Sequence, residues 1–255
     1  MDLSATAVVT GAGGVIGRAL CLALARRNAS VLAVDLDDES LRATVAAVAD
    51  IGGTCVGHQA DVTDEKSVQR FVDAAVTNFG SLDWLSNNAG IEGPAAEISA
   101  YPTDSFQRVI EINVMSVFLG MKAALPVMRR NGGGRIVNTA SVAGLYATPQ
   151  LIAYGASKHA VIGMTRTAAV EAAADGISVN AICPGPQESR MMDSIEAAIV
   201  TNDPRGARAA YTSTIPLGRY GYPDEIADTV AWLFAEAPAY LTGQTIVVDG
   251  GLLIS

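Results

Sequence analysis

Cysteine is scarce. The 255-residue chain carries 3, at Cys21, Cys55 and Cys183, far apart and never in a C-x-x-C pair. With only 2 histidines beside them, a disulfide scaffold and a structural zinc site are both excluded, and no metal is expected. The three are read as small apolar residues of a reduced, cytoplasmic protein. Basic residues are also in deficit, 17 Lys and Arg against 26 Asp and Glu, for a net charge of -9. Such a chain lacks the basic face that nucleic acid or an anionic membrane surface requires. No apolar run approaches the ~18–20 residues that span a bilayer. Asp2, with no basic stretch leading into an apolar one, gives no signal-peptide pattern. Charged residues are only 17% of the chain and hydrophobic ones 50%, which excludes disorder as the main state.

What is there is alternation. Short aliphatic or β-branched runs at residues 7–10, 30–34, 54–56, 82–85, 135–138, 177–182 and 244–248 read as seven strands. Between them, residues 16–28, 38–51, 64–79, 104–130, 152–174 and 223–236 have helical period. Asp64 with Ser67, and Pro223 followed by Asp224 and Glu225, mark helix starts. Strands this continuous in aliphatics are buried on both faces, so the expected fold is a single α/β domain: a doubly wound parallel sheet of seven strands with helices on both sides. Residues 184–221 break the alternation and hold Met191, Met192, Ile195 and Ile199 at helical spacing within residues 189–201. An insertion at a strand's carboxyl end overlies the ligand crevice of such a sheet, so residues of about 186–215 are expected to form a substrate lid; an ordinary surface helix pair is the alternative.

Thr10-Gly11-Ala12-Gly13-Gly14-Val15-Ile16-Gly17 joins the first strand to the first helix. Glycines there let the backbone approach a pyrophosphate, held by the free N–H groups of the helix start. The spacing is not G-x-G-x-x-G, since Ile16 stands at its third glycine. Asp35, at the end of the second strand, can accept hydrogen bonds from both ribose hydroxyls and would repel a 2′-phosphate, which favours NAD over NADP. Asp37 and Asp38 add negative charge, and no Lys or Arg precedes Gly17 in the turn. Asp61 is placed to reach an adenine edge with Val62 packed on the ring, or else to cap the segment from Thr63.

Tyr154 and Lys158, four apart on an expected helix, share a face, and Ser141 lies 13 residues upstream of Tyr154. With Asn87-Asn88-Ala89-Gly90, Asn113, Pro184-Gly185 and Asp249-Gly250-Gly251 in order, the chain resembles the short-chain dehydrogenase/reductase family in its NAD-preferring form of about 250 residues, cyclic-alcohol and diketone dehydrogenases among them. The resemblance implies a Rossmann-type fold and an oxidoreductase passing a hydride between nicotinamide and a secondary alcohol or ketone. It implies Tyr154 as acid/base, Ser141 holding the substrate oxygen, Lys158 lowering the Tyr154 pKa and holding the nicotinamide ribose, and Asn113 positioning a water of a proton relay. It further implies that Gly11, Gly14, Val15, Ile16, Gly17, Asn88, Ala89, Gly90, Pro184, Gly185, Gln187 and Ser189 line the cofactor path, and that the chain forms a homotetramer. Three residues depart from the family pattern: Val15 replaces a glycine, Gln187 an Ile or Val, and Ser189 a Thr.

Substrate walls are expected from Val142, Ala143, Leu145, Tyr146, Gln150, Ile91-Glu92-Gly93, Met191 and Met192, which points to a medium-sized, mostly apolar alcohol or ketone. Three alternatives stand beside this. One is a 3-oxoacyl carrier-protein reductase. Another is a dehydrogenase for an anionic substrate clamped by Arg190, with Arg205 and Arg208 further on. The third is a non-enzymatic dinucleotide sensor.

Overall fold

The computed structural model describes residues 5–199 and 204–255. Asp2 and Thr201 lie outside them, as do the side chains of Ile199 and Arg205. The seven strands form one parallel sheet in the order β3-β2-β1-β4-β5-β6-β7. They are β1 (Thr6–Thr10), β2 (Ser30–Asp35), β3 (Thr54–Gln59), β4 (Trp84–Asn87), β5 (Gly134–Thr139), β6 (Ile177–Pro184) and β7 (Thr245–Val248). The strand order reverses between β1 and β4, and ligands of such sheets bind in the crevice beyond the carboxyl ends at that point.

The apolar runs explain the layering. Ala7 and Val9 of β1 face one side of the sheet, where they pack with α1 (Val15–Ala25), α2 (Asp38–Asp50) and α9 (Pro223–Ala235). Val8 of β1 faces the other, against α3 (Glu65–Phe79), α5 (Ser116–Asn131) and α6 (Ile152–Ala172). The inner strands are buried along their middles, but β3 is an edge strand with no buried residue, each being exposed or half-buried. That is why its sequence tolerates Gly57, His58 and Gln59.

The expected single helix over residues 104–130 is broken. It runs as α4 (Thr103–Ile110), a π turn (Glu111–Met115) and then α5. By length and composition the stretch Thr103–Asn131 could cross a membrane, which the run lengths did not anticipate; here Val117, Leu119, Met121, Ala124 and Met128 bury one face of it in the core. Residues 184–221 contain two helices, α7 (Arg190–Ile199) and α8 (Pro204–Thr214). Only the first was legible.

Candidate active site

The turn after β1 is built for close backbone approach. Gly11 has φ 66°, and a Cβ on Gly17 would lie 2.1 Å from the Gly11 carbonyl oxygen, so both positions require glycine. Gly14 precedes α1 with no side-chain cap, and no acid occupies the first helical turn. The N–H groups of that turn are left to an anion. Val15, the first residue of α1, is 48% exposed. Asp35 ends β2 with Oδ2 accepting from the Gly13 N–H at 2.8 Å and Oδ1 from the Asp37 N–H at 3.0 Å. Each oxygen keeps a lone pair for a further donor. A Cβ on Gly13 would meet Asp35 Oδ2 at 3.0 Å, so this glycine lets the carboxylate reach the turn.

Asn88 braces the crevice. Its Nδ2 donates to the Thr10 and Gly11 carbonyls at 3.0 and 3.3 Å, its backbone N–H and that of Ala89 donate to Thr10 Oγ1, and Thr139 Oγ1 donates to its Oδ1. Asp61 does not cap α3, which Asp64 does; its Oδ1 accepts from the Thr63 N–H and hydroxyl, and those bonds hold its carboxyl below the usual range. Val62 packs against the core.

Ser141 stands two residues beyond β5, at the start of the short turn Val142–Gly144. Gly144 lies so close to the Lys158 backbone that a Cβ there would be 2.8 Å from its carbonyl carbon. That contact holds the Ser141 loop against α6. Ser141 Oγ accepts from the Ala143 N–H at 3.1 Å, and Ser141 lies near enough to the Tyr154 phenol to lower its pKa. Lys158 Nζ lies 5.5 Å from the Tyr154 ring centroid and donates to the Thr139 carbonyl at 2.8 Å. Burial pushes the Tyr154 phenol up to about 12, only partly opposed by Ser141, and burial pulls the Lys158 ammonium down to about 8. The ammonium faces the ring and a carbonyl.

Asn113 sits fully buried inside the π turn. Its amide exchanges two 2.8 Å hydrogen bonds with the backbone of Ile91, and Nδ2 also donates to Ser157 Oγ at 3.0 Å. The side chain therefore ties the loop after β4 to α6. Gly90 fits between Asn113 Oδ1 and Lys158 Nζ, where a Cβ would lie 3.1 and 3.5 Å from them.

The Ser141–Tyr154–Lys158 group opens into a cavity of about 350 Å³. Ile16, Asn88, Gly90, Pro184, Gly185, Gln187 and Ser189 line its cofactor side, with Val142, Tyr146, Met191 and Met192 on the far walls. Gln150 does not line it. It is exposed at φ 66°, and its carbonyl accepts from the Ala96 N–H. Leu145, Ile91, Glu92 and Gly93 are absent from the lining too. Sequence reasoning missed Leu151, Ile195 and Tyr211, which do line it. Ser189 Oγ caps α7, accepting from the Met192 N–H at 3.2 Å, and Gln187 pairs its Nε2 with the Gly185 carbonyl. Arg208 is ion-paired to Glu188, and Arg190 is exposed; neither reaches the lining.

The glycine cradle, the open helix start and the half-satisfied Asp35 carboxylate fit a dinucleotide. Residues 11–253 match the family described as Enoyl-(Acyl carrier protein) reductase. The chain is 37% identical to levodione reductase of Leifsonia aquatica, over 96% of this chain and 92% of that one. It is 37% identical to the 3-oxoacyl-[acyl-carrier-protein] reductase FabG of Thermotoga maritima, over 97% of each, and 34% to a cyclohexanol dehydrogenase of Acinetobacter sp., over 96% and 93%. The crystal structure of levodione reductase superposes with a TM-score of 0.94 at 36% identity, covering 97% of this chain and 96% of that one. That of NAD+-bound xylitol dehydrogenase gives 0.93 at 36%, covering 98% and 100%. With those relatives matched along nearly their whole length, and Ser141, Tyr154 and Lys158 gathered at one crevice, the chain belongs to the short-chain dehydrogenase/reductase family of oxidoreductases.

Proposed function

We propose that the protein is an NAD-dependent oxidoreductase that interconverts a medium-sized, mostly apolar, cyclic secondary alcohol and its ketone. The observation that carries this reading is the gathering of Ser141, Tyr154 and Lys158 on one largely apolar cavity beside the glycine turn. Bound NAD supplies the hydride acceptor, and NADH the donor. The chain's residues supply the rest. Ser141 donates a hydrogen bond to the substrate oxygen, where negative charge builds during reduction. Tyr154 delivers its proton to that oxygen from Oη, or takes it back in oxidation. Lys158 holds the ribose of the nicotinamide half and places charge beneath the phenol. Asn113 fixes the loop that closes the crevice and orders a water leading from Lys158 to solvent. Backbone groups from Gly11 to Gly17 hold the pyrophosphate, and Pro184 to Ser189 seat the carboxamide. The helices α7 and α8 act as a lid.

Preference for NAD rests on Asp35. A 2′-phosphate would meet its carboxylate, and Arg18, the nearest cation after the turn, is engaged with Thr44 and the Ser40 carbonyl. Discrimination of about 100-fold against NADP corresponds to about 2.7 kcal/mol, within reach of one such repulsion. The test is a panel of ring alcohols and ketones followed at the NADH absorbance with each cofactor. Turnover of cyclohexanol or a substituted cyclohexanone with NADH, and narrowing of the cofactor preference in Asp35→Ala, are the expected results. Equal use of NADPH by the wild type overturns the NAD assignment. The second reading, a 3-oxoacyl carrier-protein reductase, is favoured by the FabG identity; faster turnover of an acetoacetyl carrier protein than of any ring ketone establishes it. An arginine clamp on an anionic substrate has less support, because Arg208 is paired and Arg190 lies off the cavity. A non-enzymatic sensor leaves the Ser141–Tyr154–Lys158 group without a purpose.

Val15→Gly is expected to lower the KM for NAD by freeing the start of α1, at a cost of about 0.5 kcal/mol or less in stability, with the pH profile unchanged. Steady-state kinetics and denaturant unfolding read the two effects. A homotetramer accounts for apolar residues left exposed on one chain, Phe118 at 44%, Val170 at 81% and Ile254 at 91%. Light scattering checks it. The three free cysteines are in keeping with a cytoplasmic setting.

A further inference from the structure

Met191, Met192 and Ile195 of α7 line the cavity, and so does Tyr211 of α8. Arg208, one helical turn before Tyr211, lies off the lining in a cluster that three segments share. Its guanidinium is ion-paired to Glu188, just ahead of α7, and approaches Asp193 on α7 at 3.9 Å. It also lies 4.6 Å from the ring centroid of Tyr220, in the loop after α8. Tyr220 is buried, and its hydroxyl donates to Oε1 of the buried Glu196 on α7 at 2.7 Å. Met192, Ile195 and Ile215 pack in the same apolar cluster as the Tyr220 ring. The base formed by α7 and Tyr220 is therefore firm. Against it α8 is held in two places. Its carboxyl end is fixed by the buried Ile215 and by the Leu217 N–H, which donates to the Gly250 carbonyl at 3.2 Å. Its middle is held by Arg208, whose ion pairs are partly open to solvent and so can break and re-form.

We infer that Arg208 is a latch that holds α8 against α7: while its contacts last it keeps Tyr211 in the cavity wall, and when they break α8 pivots about residues 215–217 to admit substrate and release product. The inference rests on the proposed oxidoreductase reading for what the cavity holds. It gives Arg208 a positioning role, with no contact to substrate. One partly exposed ion pair and one stacked cation together correspond to about a threefold to tenfold bias toward the closed lid. Releasing the bias lowers the fraction of protein ready to bind, which raises KM and leaves the hydride step alone.

The test uses the full-length protein and three substitutions. Arg208→Met keeps a long unbranched side chain without charge, Arg208→Lys keeps the charge without the flat guanidinium on Tyr220, and Glu188→Gln removes the partner. Amide hydrogen exchange read by mass spectrometry reports on residues 204–217, and steady-state reduction of cyclohexanone by NADH reports on the site. In Arg208→Met, exchange in α8 is expected to quicken about threefold to tenfold with the strands unchanged, and KM for cyclohexanone to rise by a similar factor. NADH affinity and kcat should stay within about twofold. Arg208→Lys should fall between the wild type and Met, and adding Glu188→Gln to Arg208→Met should change little more, because both act through one contact. Unchanged exchange in α8, faster exchange of the strands along with it, or a loosened α8 with KM unmoved each overturns the inference and leaves the oxidoreductase reading standing. A wild type that turns over no ketone overturns that reading, and the exchange comparison then decides the latch by itself.

Discussion

Replacing Tyr154 by Phe is expected to cut turnover by about 10³-fold or more in both directions while leaving NADH affinity within about twofold. The change removes one oxygen from a buried site and little else. Ser141 keeps its bond from the Ala143 N–H, and the ring that faces Lys158 remains. What is lost is the phenol placed beside Ser141. Since burial holds that phenol near about 12, Tyr154 carries its proton throughout the neutral range and is ready to act as the acid in ketone reduction. Oxidation needs the phenolate, so the alcohol reaction must climb with pH where the ketone reaction stays level. The Phe variant removes that contrast along with the rate. Fluorescence titration of NADH separates binding from chemistry, and wild-type turnover in the Phe variant overturns the acid/base role.

The Tyr154–Lys158 pair shows how far spacing alone reaches. Spacing placed Tyr154 and Lys158 on one helical face, which the structure bears out. The direction of a pKa shift depends on burial, and no spacing reports that. The parallel sheet and its two-sided helical cover were legible because the inner strands are nearly continuous in aliphatics, as at Ala7, Val8 and Val9. The π turn was not, because its cause is tertiary: the Asn113 amide bonds the backbone of Ile91, 22 residues away. The helix α8 was missed for a different reason. Residues 204–214 hold few large apolar side chains and are polar on average. Tyr211, on that helix, was lost with it. Gln150 was expected on the wall, but with a left-handed backbone it is exposed, and its neighbour Leu151 lines the cavity instead.

Lys158→Met is expected to abolish turnover and at the same time to remove a pH-dependent instability. The Lys158 side chain is only 4% exposed, and its three donors find one protein acceptor, the Thr139 carbonyl, beside the Tyr154 ring. Desolvation therefore lowers its pKa from 10.5 to about 8 in the folded protein. Between those two values the unfolded chain holds a proton that the folded chain has released, so unfolding takes up a proton and stability must rise with pH across this window. Below about pH 8 both states are protonated, and the folded state bears the full cost of a buried ammonium. The 2.5-unit difference corresponds to about 3 kcal/mol, an upper figure for one buried amine. Methionine fills the same channel without a charge to desolvate, though it leaves the Thr139 carbonyl short of a donor, which costs about 1–3 kcal/mol at every pH. The clean readout is therefore the difference in slope. Denaturant unfolding at pH 7 and at pH 10 should show the wild type gaining about 2–3 kcal/mol on the Met variant. Titrating groups remote from Lys158 are common to both proteins and drop out of the comparison. Parallel stability curves would mean that Lys158 is not destabilised by burial, and that the amine beneath Tyr154 is as well solvated as a surface lysine. A converging pair ties the two roles together: the charge that the reaction uses is one the fold holds at a cost, and bound dinucleotide, whose ribose gives that ammonium acceptors, should reduce the slope.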